Sequence, residues 1–121
     1  MFKEKLESKI NRLLEEFGLK EEEVDFKIEI PPEGYGDLST NVAFILSRSL
    51  KRNPREIAVS ISEELRKDTD YSRVEVAGPG FINVDFSIDY LSSVLAKIFE
   101  QPGFWKKQVE TNIQFEFASA N

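Results

Sequence analysis

The chain has 121 residues, 40% apolar and 12% aromatic, which is enough to bury one core and makes one domain the working count. It contains no cysteine and no histidine, so disulfides, zinc sites built on those residues, and Ser-His or Cys-His catalytic arrangements are excluded. Sixteen Lys and Arg against twenty-two Asp and Glu give a net charge of −6, the opposite of the footprint of a free-standing nucleic-acid binder. Any RNA contact must then rest on a local basic surface or on a larger partner that supplies most phosphate binding.

The opening "MFKEKLESKINRL" lacks the uninterrupted apolar segment of a signal peptide or membrane span, which points to a cytoplasmic protein with no membrane partner. Phe2, Leu6, Ile10, Leu13, Leu14 and Phe17 recur at helical spacing, and Gly18 stands where a helix end takes a left-handed residue, so a first helix is expected from about Phe2 to Phe17. "DFKIEI" alternates Phe26, Ile28 and Ile30 with polar residues and stops at Pro31 and Pro32, as a half-buried strand does. "PPEGYGDLSTN" carries turn chemistry throughout and reads as a loop, with Ser39 or Asp37 placed to cap the next helix. That helix runs to about Leu50 on a stripe of Val42, Ala43, Leu46 and Leu50, and Arg48, Lys51 and Arg52 near its end complement the helix dipole.

"NPRE" starts a third helix: Asn53 suits the N-cap, Pro54 the first turn, and Glu56 the carboxylate position of a capping box, followed by Ile57, Ile61 and Leu65 as the buried stripe. "SRVEVAG" and "GFINVDF" read as two strands joined at "AGPG" into an antiparallel hairpin. Leu91, Val94, Leu95, Ile98 and Phe99 mark a fourth helix before the break at Pro102 and Gly103, and the alternation of Val109, Thr111, Ile113, Phe115 and Phe117 marks a last strand that runs into "ASAN" without a stop signal. The expected fold class is α+β: an antiparallel or mixed sheet of about four strands packed with about four helices.

Few stretches carry chemistry. "EGYGD" puts two glycines near a helix start, where amides can hold an anion, but it lacks the spacing and the Lys-Ser/Thr pair of a nucleotide loop, so turning the chain and capping by Asp37, Ser39, Thr40 and Asn41 is the better reading. The acidic run Glu21 to Asp25 diverges into water, and neighbouring carboxylates such as Glu15 with Glu16 do not face one another, so neither a metal nor an acid and base pair is assigned. "PGFWKKQ" sets Trp105 beside Lys106 and Lys107, read as a packed ring with solvating lysines. In "GPGFINVDF", period-two alternation sends Ile82, Val84 and Phe86 to one face and Phe81, Asn83 and Asp85 to the other. The apolar face is the core candidate. Phe81 is left as a large ring on the polar face beside the Asn83 amide, a pairing suited to stacking on a base and hydrogen-bonding its edge.

Read together, "GYGDLSTNVAF", "NPREIAVSISEEL", "VEVAGPGFINVDF" and the terminal "FEFASAN" resemble, over nearly the whole chain and in order, the N-terminal region of arginyl-tRNA synthetases. The resemblance implies an N-terminal tRNA-recognition domain over residues 1–117, with residues 118–121 opening a class I catalytic domain whose ATP motifs would follow Asn121. It implies tRNA-Arg as partner, read at the D-loop in the outer corner of the molecule. Phe81 would be the base platform, Asn83 the edge reader, Gly80 part of the same tRNA-binding turn, and Arg48, Lys51, Arg52 and Arg55 a secondary basic patch. Asn121 and Ser119 resemble the edge of an arginine-binding pocket, half a site in this chain. The remaining synthetase domains would be further partners, and arginine and ATP with Mg would be used by the full-length ligase. This stretch alone is expected to hold no cofactor and to catalyse nothing. The competing reading is an interaction or interdomain packing module in which Phe81 is buried against a neighbour.

Overall fold

The computed structural model describes residues 2–100, in two compact units divided between Ile88 and Asp89. The first unit contains α1 (Phe2–Glu16), a 3-10 turn at Glu21–Glu23, β1 (Ile28–Glu29), β2 (Leu38–Thr40), α2 (Val42–Leu50), α3 (Pro54–Arg66), β3 (Tyr71–Ala77) and β4 (Phe81–Phe86). The chain then enters α4 (Ile88–Phe99), in which Val94 is buried while Leu95 and Phe99 stay exposed. The class is α+β as expected, with four α-helices and a four-stranded sheet of order β1-β2-β4-β3 among the described residues, whose pairings are all antiparallel. The strand expected over Val109 to Phe117, and the Trp105 cluster, lie outside the described residues.

The helices follow their apolar periodicity. Leu6, Ile10, Leu13 and Leu14 bury one side of α1, and the chain turns away at Gly18 with φ of 78°. Phe17, expected on that stripe, is exposed because α1 ends at Glu16 and the helical repeat no longer directs its ring. α3 begins as its sequence requires: Pro54 opens the first turn and the Asn53 Oδ1 accepts the Arg55 N–H at 2.8 Å. α2 and α3 pack on each other, and both pack on β4.

β2 is a correction to the expected loop. Leu38 and Thr40 are buried and pair with Val84 and Ile82, while Ser39 pairs with Asn83. Without this short strand one edge of β4 would leave its amides and carbonyls unpaired beside a buried face, a cost that outweighs the turn propensity of the segment. The expected caps also fall elsewhere. Neither Asp37 nor Ser39 caps α2, whose N-cap is Asn41 without a side-chain cap bond; the Thr40 hydroxyl accepts the Val42 N–H at 3.2 Å. The Asn41 Oδ1 instead accepts the Lys27 N–H at 2.8 Å, and the Asp37 carboxylate accepts the Phe86 N–H at 2.9 Å. β1 is shorter than expected: Ile28 points inward, but Ile30 is 84% exposed as the chain leaves the sheet for Pro31.

A charged contact ties α1 to the turn before β3. Lys5 Nζ lies 3.2 Å from the Asp68 carboxylate and 2.7 Å from that of Asp70, with the Tyr71 ring 5.6 Å away. Partial burial pushes the Lys5 pKa down, yet the hydrogen bonds to Asp70 and Asp68 outweigh it and raise the pKa overall. Burial likewise pushes Asp68 up, and the Asp70 N–H and Lys5 prevail to hold it below the usual carboxylate value. Behind this contact Phe86 packs against Phe2 and Tyr71, at ring distances of 5.1 and 5.4 Å.

Candidate nucleic-acid interface

β4 sits in the middle of the sheet and alternates as its sequence requires. Ile82, Val84 and Phe86 are buried, while Phe81 is 43% exposed and Asn83 and Asp85 lie partly open on the opposite face. Across the sheet, Asn83 is flanked by Ser39 on β2 and Glu75 on β3, Glu29 of β1 follows Ser39, and Asp85 faces Arg73. Among the described residues neither the Asn83 amide nor the Ser39 hydroxyl is taken up by a side-chain hydrogen bond, so both remain available to an outside partner. Arg73 is occupied by Glu75 at 2.6 Å; that hydrogen bond lowers the Glu75 pKa and raises that of Arg73.

The Phe81 ring leans edge-on against Phe44 of α2, with centroids 4.9 Å apart and planes at 68°. This contact leaves the ring anchored on one side and open on the other. The hairpin turn that delivers it is held from behind. Gly80 has φ of 155°, and a Cβ there would stand 3.2 Å from Pro54, so the turn lies directly on the first turn of α3. The Arg55 guanidinium donates to the Gly78 carbonyl in the same place. Gly80 and Arg55 therefore shape the support of Phe81. Arg48, Lys51 and Arg52 are exposed at the neighbouring α2–α3 corner, where Lys51 closes the helix with φ of 54° and the Arg52 carbonyl accepts from the Ser47 hydroxyl. Asn121 and Ser119 lie outside the described residues.

The open face of β4 forms one wall of a groove of about 510 Å³, lined by Ile30, Pro32, Tyr35, Pro79, Phe81 and Asn83 among others. A recess of about 80 Å³ continues past Phe81 to Lys27 and Asn41. Tyr35, which is 61% exposed, and Ile30 are site residues that reasoning from sequence did not single out. The signal for Tyr35 is present: it is an aromatic residue inside a turn-rich segment with no apolar periodicity to explain it. Its position in the same groove as Phe81 depends on β2 pairing with β4, which local sequence does not reveal.

All of these groove residues lie within residues 2–86, the span matched by the profile of the Arginyl tRNA synthetase N terminal domain family. The chain belongs to that family. An arginine–tRNA ligase from Thermotoga maritima is 44% identical over 103 residues, covering 82% of this chain and 19% of the relative. One from Staphylococcus aureus is 36% identical over 124 aligned positions, covering 98% of this chain and 22% of the relative. The chain thus spans about a fifth of the length of these relatives. In fold it is similar to the crystal structure of arginyl-tRNA synthetase from Plasmodium falciparum, with a TM-score of 0.66 and 20% identity over 82% of this chain and 18% of the other. The Thermus thermophilus arginyl-tRNA synthetase gives 0.62 and 22% identity over 84% of this chain and 16% of its own. The N-terminal domain of arginyl-tRNA synthetases is therefore the family identity of this module. Among its described residues no helix is long and apolar enough to cross a membrane.

Proposed function

We propose that this domain reads an unpaired base of the tRNA-Arg D-loop on behalf of a cytoplasmic full-length ligase that joins arginine to tRNA at the expense of ATP. The observation that carries the reading is the Phe81 ring, 43% exposed on the open face of β4 with the Asn83 amide, unengaged among the described residues, beside it. An exposed ring offers a face to an unstacked base, and an amide with a free donor and acceptor can bond its edge. The same exposure weighs against a Phe81 whose purpose is packing.

The electrostatics fit a specifying contact better than an affinity-giving one. Glu29, Glu75 and Asp85 share the open face with Asn83, so phosphate attraction must come from the α2–α3 corner and from the remaining domains of the ligase. Stacking on one ring contributes about 1 to 3 kcal/mol, enough to discriminate between tRNAs without making the domain a tight binder. Arginine and ATP with Mg are substrates of the whole ligase, and Ser119 with Asn121 would be this chain's contribution to the arginine pocket. The domain itself is assigned no catalytic residue.

The test is a chemical-shift titration of the chain with a D-arm hairpin of tRNA-Arg at low salt, run beside Phe81→Ala and Asn83→Ala. Shifts centred on the β4 face that both substitutions abolish are expected. Shifts confined to Arg48, Lys51 and Arg52, unchanged by either substitution, would move the contact to the basic corner and leave Phe81 to packing against another domain.

A further inference from the structure

The groove holds a second exposed ring whose placement is not a loop accident. Tyr35 lies between Gly34 and Gly36, and its N–H donates to the Pro32 carbonyl at 3.1 Å to close a turn. Directly after it the chain is fastened to β4 three times over. At Gly36 the backbone lies so close that a Cβ would stand 3.1 Å from the Val84 carbonyl oxygen; the Asp37 N–H donates to that oxygen at 2.8 Å; and the Asp37 carboxylate takes the Phe86 N–H. A ring that is 61% exposed is thus mounted on a hydrogen-bonded turn whose next residues are tied to β4, which holds it at the groove rather than on a free linker.

The two rings are anchored at opposite ends of the same strand. Phe81 begins β4 at the hairpin turn, whereas the Tyr35 segment is fastened at Val84 to Phe86, and three residues of strand span roughly 10 Å. Asn83 and Ser39 pair with each other across the sheet between those anchors. The groove volume of about 510 Å³ is that of a site for a ligand larger than one base. Resting on the base-reading role proposed above, we infer that Tyr35 is a second stacking platform, so that the groove takes two neighbouring unpaired bases of single-stranded RNA, one on Phe81 and one on Tyr35, with Asn83 and Ser39 facing their edges. The occupant is RNA rather than an apolar protein segment because the floor between the rings is an amide and a hydroxyl without side-chain partners among the described residues. A greasy segment would leave both unsatisfied on burial.

The test uses the whole chain and D-arm hairpins of tRNA-Arg carrying 2-aminopurine at each unpaired loop position in turn. Wild type should quench two adjacent positions. Tyr35→Leu should release one of them and Phe81→Leu the other, each weakening binding about tenfold, while Tyr35→Phe keeps both because the ring is retained. Unchanged melting of the exposed-site variants serves as the fold control. If Phe81→Leu acts while Tyr35→Leu changes neither quenching nor affinity, Tyr35 is no platform and the single-base reading stands. Release of the same quenched position by both substitutions would mean one base held by both rings, which also overturns the two-base arrangement. Absence of quenching with wild type would remove the base-reading role itself and this inference with it.

Discussion

On β4, Ile82 is 0% exposed and Phe81, one residue before it, is 43% exposed. One face of the strand, Ile82, Val84 and Phe86, holds the helices to the sheet; the other, Phe81, Asn83 and Asp85, is open to a partner. The comparison teaches that one short strand separates a face that builds the core from a face left accessible simply by alternating its side chains, so each can be altered without the other. It also explains how a large aromatic survives on a surface. Phe81 is steadied by Phe44 and by the turn beneath it rather than by burial.

The sharpest way to test that separation is to cut into each face. Ile82→Ala should cost roughly 2 to 5 kcal/mol of stability, measured by denaturant unfolding, through lost burial and the cavity left behind. Phe81→Ala should cost less, about 1 to 2 kcal/mol, from its half-buried area and its edge contact with Phe44, while removing the RNA response. Equal destabilisation by the two would contradict the two-face division.

Gly80→Ala strikes the support shared by both faces. Its φ of 155° strains any side chain, and an added Cβ would stand a tight 3.2 Å from Pro54, so a loss of about 1 to 3 kcal/mol is expected together with a displaced hairpin turn. The amide chemical shifts of residues 78, 80 and 81 should move while those of α1 stay in place. A variant with wild-type stability would show that the turn can lift off α3 freely.

The smallest effect concerns the folding side alone. Because the folded state holds the Asp68 carboxyl below its ordinary 3.8, its contribution is complete above that value and disappears as pH falls through the lowered one. Asp68→Asn should therefore cost about 1 kcal/mol at neutral pH, and the gap to wild type should close in acid, with no change in RNA binding at neutral pH. A gap that persists unchanged well below 3.8 would assign the loss to packing instead of charge.

Legibility followed the range of the interactions. α1, α3 and the β3–β4 hairpin were readable because helical spacing, the Asn53-Pro54 start and the Gly78-Pro79-Gly80 turn are written within a few residues of where they act. β2 was not, since Leu38 to Thr40 become a strand only when β4 lies alongside, and the local Gly, Asp and Ser chemistry argues for a loop. Asp37 shows the same limit: it looks like a helix cap from its neighbours, but its carboxylate is spent on an amide forty-nine residues away. Of the candidate site, the Phe81 and Asn83 pair was visible in the alternation of one strand, while Tyr35 entered only through β2.

The sequence by itself determined the α+β class, the ends of most helices and which face of β4 would be apolar, because periodicity and end-capping are local and each residue carries its own preference. Only the tertiary structure decided that the loop before α2 would become the partner of β4 and bring Tyr35 to the groove beside Phe81. Backbone groups on a central strand must find partners wherever the chain can supply them, and that demand acts between segments that no local pattern connects.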